Sequence, residues 1–134
     1  MNNPLNIRRT SVKWRGELPS HLGEGKGERG SFCHFSSLEY GLRAAFCILR
    51  TYALKHRCSC VRDIVTRWAP PSENDTERYI RNVCLWTGFG GYQRLTEAEW
   101  PALVTAMARM ESGVTLDPEM VMRAYELYLS EKTK

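Results

Sequence analysis

Ser36-Ser37-Leu38-Glu39-Tyr40-Gly41-Leu42-Arg43-Ala44-Ala45-Phe46-Cys47-Ile48-Leu49 is the stretch on which the fold turns. Leu38, Leu42, Ala45, Phe46 and Leu49, continued by Tyr52 and Ala53, recur every three or four residues. That spacing gathers side chains on one face of an α-helix. The Ser36-Ser37-Leu38-Glu39 run has capping-box form, with the Ser36 hydroxyl placed to accept the Glu39 backbone N–H and the Glu39 carboxylate to reach back to the cap. A central helix is therefore predicted from this cap to about Lys55.

Downstream, the same periodicity returns four times. Ser59 can cap a helix whose Val61, Ile64, Val65 and Trp68 share a face and which must end by Ala69, because Pro70-Pro71 drives its predecessor out of the α region. Asn74-Asp75-Thr76-Glu77 offers the next start, with Tyr79, Ile80, Val83, Cys84 and Trp86 on the buried side and Gly88 as a left-handed cap. Thr96 to Glu111 reads as a fourth helix with Trp100, Leu103, Val104, Met107 and Met110 inward, and Pro101 leaves its start at Thr96 or Trp100. Asp117-Pro118-Glu119 opens a last helix that runs to about Ser130.

Upstream the pattern changes. Leu5 and Ile7, then Val12 and Trp14, alternate as in brief strands, and residues 30–35 return as a third carrying Phe32 and Phe35, so a β-hairpin-like start is predicted. Glycines and charges between Gly16 and Gly30 read as a mobile loop. The expected fold is α+β but predominantly α, a single domain over 1–134. Residues 1–35 form the hairpin and loop, 36–90 a helical core, and 91–134 a C-terminal helical pair.

Composition fits one globular domain: 134 residues, 43% hydrophobic and 25% charged. The longest apolar run, Ala44 to Leu49, is far short of the roughly 20 residues of a membrane span. Residues 1–9 carry no signal-peptide h-region, which predicts synthesis in a cytosol, and the odd count of five cysteines suits reduced thiols. Residues 1–68 carry twelve Lys/Arg against five Asp/Glu, a charge of +7, and residues 69–134 carry seven against ten, a charge of −3. A basic front half suits an anionic partner such as a cell-wall polymer. Nucleic acid ranks behind it, since no reading helix or aromatic platform stands out. His56-Arg57-Cys58-Ser59-Cys60 lacks the second pair that zinc needs, unless Cys33-His34 supplied it, and no nucleotide-binding motif occurs. No metal and no cofactor are expected.

Carboxylates carry the remaining chemistry, because glycoside cleavage needs one that holds a proton near neutral pH. Glu111 is the leading candidate, and Glu17 beside Trp14-Arg15-Gly16 and Glu39 in the predicted cap follow it. Glu111-Ser112-Gly113 at a helix end resembles the catalytic turn of lytic transglycosylases. It also reads as an ordinary polar helix terminus. That solvent-facing reading is preferred, because the turn lies after the Asn-rich segment and a permuted order would be needed to bring the two together.

Asn2-Asn3-Pro4-Leu5-Asn6-Ile7-Arg8 packs three amides and a proline into seven residues, which suits backbone fixing or ligand binding. Asn2, Asn3 and Asn6, with the nearby Trp14, are the candidate ligand-binding residues. The run resembles the Asn-Asn-Pro-x-Asn-Ile/Leu-Arg motif of a phage and prophage structural-protein family. The likeness continues through Trp14-Arg15-Gly16, Phe32-Cys33-His34-Phe35 and Ser37 to Ala44, and is sharpest at Arg67-Trp68-Ala69-Pro70-Pro71-Ser72-Glu73-Asn74-Asp75-Thr76. More distantly, the first segment is similar to the Asn-Asn-Leu-Phe-Gly-Ile-Lys strand of bacterial N-acetylglucosaminidases. These resemblances imply a virion or prophage product, with a lysozyme-like domain that engages peptidoglycan or a non-catalytic structural module that meets other phage structural proteins. In the glucosaminidases the catalytic glutamate precedes that strand. Here the matching strand opens at Asn2, so the acid would have to come from elsewhere in the chain.

Overall fold

In the computed structural model the described residues are 1–19 and 31–132. They form five helices: α1 (Leu38–His56), α2 (Val61–Trp68), α3 (Thr76–Thr87), α4 (Trp100–Ser112) and α5 (Pro118–Glu131). A single 3-10 turn, Glu97–Glu99, leads into α4. The expected loop falls largely on residues 20–30, which lie outside the described residues.

Start and stop signals act close to where they were expected, and the differences are local. The cap of α1 is Ser37, one residue later than the predicted Ser36, and its hydroxyl accepts the Tyr40 N–H; Glu39 instead lies 3.8 Å from Arg123 on the surface. For α2 the cap is Cys60, with no side-chain bond, in place of Ser59. Both proposed starts of the fourth helix are used: Thr96 and Glu99 form a reciprocal capping box on the 3-10 turn, and the α-helix begins at Trp100 with Pro101 in its first turn. Asp75 and Asp117 cap α3 and α5, while Gly88 and Gly113 close α3 and α4 in the left-handed conformation.

Helix α4, and not α1, occupies the centre. It packs against α1, α3 and α5 and buries Trp100, Leu103, Val104, Ala106, Met107 and Ala108. α1 lies along α5, where Phe46 meets Tyr125 edge-on at 5.2 Å between ring centroids and Tyr128 at 5.7 Å. Tyr128 keeps its buried hydroxyl satisfied by donating to Glu97 at 2.6 Å, and Lys132 holds the same carboxylate at 2.6 Å. The five cysteines are free thiols, and burial together with the neighbouring Glu17 pushes Cys33 up to about 12.

No β-hairpin forms among the described residues. The front of the chain makes two isolated antiparallel bridges, Arg8 with Phe32 and Glu17 with Phe35. The reason lies in the asparagines and the proline. Asn2 and Asn6 have φ of 52° and 54°, left-handed values that interrupt an extended strand, and Pro4 has no N–H to give a ladder. Asn3 takes the ladder's place: its buried amide donates to the Ile7 and Cys33 carbonyls, each at 2.9 Å, and its oxygen accepts the Ile7 N–H at 2.9 Å. Gly41 of α1 completes the dock, because a Cβ there would stand 2.0 Å from the Asn2 carbonyl oxygen. The observed architecture is thus a helical domain with a bridged N-terminal segment, and nothing in it carries the lysozyme-like plan that the resemblance implied.

Candidate functional site

The C-terminal end of α4 opens into a cleft of about 460 Å³, within the usual range for ligand sites. Its walls come from four places: Asn6 and Arg8 of the first segment with Phe32, Trp68 at the end of α2, Asn74, Asp75, Arg78 and Tyr79 at the start of α3, and Met110 with Glu111 of α4. The proline break after α2 makes this convergence possible, since it turns the chain so that the end of α2 and the start of α3 face the same opening. Thr76 secures the turn by donating its hydroxyl to the Ala69 carbonyl at 2.6 Å.

Three consecutive residues of the Asn-rich segment are pinned to this site. The Pro4 carbonyl accepts the Ser112 hydroxyl at 2.9 Å, the Leu5 carbonyl accepts the Trp68 indole N–H at 3.3 Å, and the Asn6 amide donates to Glu111. The Asn-rich run and the Glu-Ser-Gly turn therefore meet in space without any permutation. The sequence argument against their meeting failed because the first segment folds back across the ends of α2 and α4.

Glu111 is half-buried, not a solvent-facing helix end. One carboxylate oxygen accepts from the Asn6 amide at 3.0 Å and the other from the Tyr79 hydroxyl at 2.9 Å, while the Asn6 amide also reaches the Glu111 carbonyl at 3.2 Å. Burial raises its pKa above the ordinary carboxylate value, and the hydrogen bonds from Asn6 and Tyr79 and the Arg8 charge oppose that rise without cancelling it. The negative end of the α4 dipole acts in the same direction as burial. Tyr79 is pushed upward too, by its own burial and then by Glu111, so the phenol remains a hydrogen-bond donor. The result is a carboxyl group biased towards its protonated form in an open, partly apolar cleft.

The other candidates have different surroundings. Glu17 is buried, with its carboxylate taken by Arg9 at 2.8 Å and by the Trp14 backbone N–H at 3.0 Å, so it organises the front segment. Glu39 is half-exposed on the first turn of α1, 3.8 Å from Arg123. Asn2 donates to the Phe35 carbonyl at 3.0 Å, and Asn3 is consumed by the Ile7 and Cys33 backbone. Of the three asparagines, Asn6 alone lines the Glu111 cleft. Trp14 lines a neighbouring groove. No group of three or more potential metal ligands gathers among the described residues.

Sequence reading missed Tyr79, Arg8 and Arg78 as lining residues. Tyr79 was absorbed into the apolar face of α3. Its hydroxyl was the available signal, because a buried phenol needs a partner and nothing else on that face supplies one.

No family model matches the chain. The chain is 41% identical over 115 residues to Protein P5 of Pseudoalteromonas phage PM2, a match that covers 84% of this chain and 68% of that protein. The chain belongs to the family of that phage protein. The expected likeness to a phage protein family is upheld at the level of the family, and the family's name carries no activity with it. Among the described residues no helix is long and apolar enough to cross a membrane.

Proposed function

We propose that the chain is a phage-encoded, virion-associated protein that engages the glycan of bacterial peptidoglycan in the Glu111 cleft, with Glu111 as the general acid that protonates the leaving oxygen of a glycosidic bond. The observation that carries this reading is the Asn6–Glu111–Tyr79 arrangement. It holds a carboxyl group in place inside a cleft and leaves it with a raised pKa. A general acid needs that proton retained near neutral pH and needs fixed geometry. Asp75 is the other carboxylate lining the cleft, and it is the candidate for the second role that glycoside hydrolysis requires.

The second reading is a non-catalytic structural module that meets other phage structural proteins. It has its own support, because both carboxylate oxygens of Glu111 have protein donors, and the Asn6 contact, with Ser112 on the Pro4 carbonyl, fastens the first segment to α4 while the Tyr79 contact fastens α3. One experiment separates the two. Purified protein is incubated with bacterial sacculi, and soluble muropeptides are measured for the wild type, Glu111→Gln and Asp75→Asn, the last retaining a good helix cap. The catalytic reading expects release by the wild type and a loss of about 10²–10⁴-fold in Glu111→Gln. Release that survives Glu111→Gln, or a folded wild type that releases nothing, rejects it and leaves the structural module.

A further inference from the structure

We propose that the groove leading from the Glu111 cleft past Trp68 to Tyr52 and Trp14 holds a second stretch of the same saccharide chain, so that the ligand is a polymer read over several sugar units. This rests on the reading of the Glu111 cleft as a saccharide site.

The groove has a volume of about 310 Å³ and is lined by Ile7, Thr10, Trp14, Ile48, Tyr52 and Trp68, together with Asn6 and Arg8. Asn6, Arg8 and Trp68 also line the Glu111 cleft, so the two spaces lie side by side and share these three residues. Their chemistry differs. The Glu111 end is walled largely by carboxylates, amides and arginines, and the other end by three half-buried aromatic rings and two aliphatic side chains. A pyranose has a hydroxylated rim and C–H faces, so a chain of them needs both kinds of wall: polar groups where orientation is set, and flat apolar ones where length is accommodated.

Two of the rings brace each other before any ligand arrives. Trp68 spends its N–H on the Leu5 carbonyl and meets Tyr52 edge-on at 5.9 Å, Arg67 lies over the Tyr52 ring at 5.5 Å, and Trp14 is tied through its backbone to Glu17. With its N–H turned to protein and its ring braced on Tyr52, Trp68 offers ring surface at little cost in lost side-chain freedom. Binding energy gathered there, away from the carboxyl group, can be used at the reacting bond only by a substrate long enough to span both parts.

The test uses the full chain and its Glu111→Gln variant, with peptide-free strands of alternating N-acetylglucosamine and N-acetylmuramic acid, two and eight units long, and titration calorimetry. The expected result is that Glu111→Gln binds the eight-unit strand at least about tenfold more tightly than the two-unit strand, about 1.4 kcal/mol. Adding Trp14→Ala or Thr10→Trp should abolish that advantage. Thr10 is exposed, so Thr10→Trp fills the groove in a folded protein even if Trp14→Ala does not fold. Equal affinity for the two lengths, or an advantage that survives both substitutions, overturns the proposal. A length advantage in a wild type that cleaves nothing upholds the groove and removes the acid role of Glu111. Cleavage without a length advantage does the reverse. Preference for an apolar peptide over both strands also overturns it.

Discussion

The helical body and the N-terminal segment are held together by different means, and the cleft lies where they meet. α1, α4 and α5 bury Leu42, Phe46, Leu49, Leu103, Met107 and Tyr128 almost completely, so their association rests on apolar area that is insensitive to any single polar contact. The first segment buries Leu5 and Ile7 but is positioned by amides: Asn2, Asn3 and Asn6 each make specific bonds that an apolar residue cannot replace. The body therefore sets stability and the segment sets geometry. A site assembled from both inherits its rigidity from one and its shape from the other.

The largest effect should come from breaking the body. Phe46 is fully buried between Tyr125 and Tyr128, and Phe46→Ala should lower unfolding free energy by about 3–5 kcal/mol in a denaturant titration, the usual scale for a large aromatic in a core. A loss below about 1 kcal/mol would mean that α1 and α5 do not share a packed interface.

Next in size is Asn3→Ala, which takes the partner from the Cys33 carbonyl and the Ile7 N–H inside the protein, while the Ile7 carbonyl keeps the Cys33 N–H. Leaving buried groups unpaired costs about 1–3 kcal/mol each, reduced where water enters, so about 2–3 kcal/mol is expected. The distinguishing measurement is hydrogen exchange: the Cys33 and Phe35 amides, which bond to the Ile7 and Met1 carbonyls, should exchange faster while α4 amides keep their relative protection. Uniform loss across the chain would erase the division between body and segment. Gly41→Ala sharpens the same division from the other side, since its new methyl meets the Asn2 backbone and should displace the segment at a cost of about 1–3 kcal/mol.

This division also explains what could be read in advance. All five helices were legible because apolar periodicity and caps are local signals: Asp75, Gly88, Asp117 and the Pro70-Pro71 stop act within a few residues of themselves. The hairpin expectation failed because Leu5 and Ile7 alternate as a strand would, while the left-handed Asn2 and Asn6 break the extended run and the side chains of Asn2, Asn3 and Asn6 reach Phe35, Cys33 and Glu111, far along the chain. Glu111 was legible as a candidate through its Ser-Gly context, yet its burial was not, because the covering residues come from positions 6 and 79. The three asparagines share one chemistry and spend it differently, Asn2 and Asn3 on the backbone and Asn6 on Glu111 at the cleft.

The smallest effect is the most discriminating, and it concerns pH. Because the Glu111 pKa is raised in the fold, the folded state holds this proton more tightly than the unfolded chain does. Its stabilising contribution is fully present below the ordinary value of 4.5 and is lost as pH rises through the higher folded value. Glu77 and Glu97 are depressed and act in the opposite sense, with stability present above their ordinary value and lost as pH falls, so their window lies below that of Glu111. Glu111→Gln cannot titrate. It also replaces one acceptor oxygen by an NH₂ group, so that either the Asn6 amide loses its acceptor or the Tyr79 hydroxyl turns from donor to acceptor, a cost of at most about 1 kcal/mol that does not vary with pH. The melting-temperature difference between wild type and Glu111→Gln, followed upward from pH 4.5, should therefore combine a constant offset with a slope: the advantage of the wild type shrinks as pH rises. A flat difference would show that the carboxyl group is not displaced. Asn6, Tyr79 and Arg8 would then cancel the effect of burial, Glu111 would stand ionised at neutral pH, and the cleft would lack the proton that glycosidic cleavage requires.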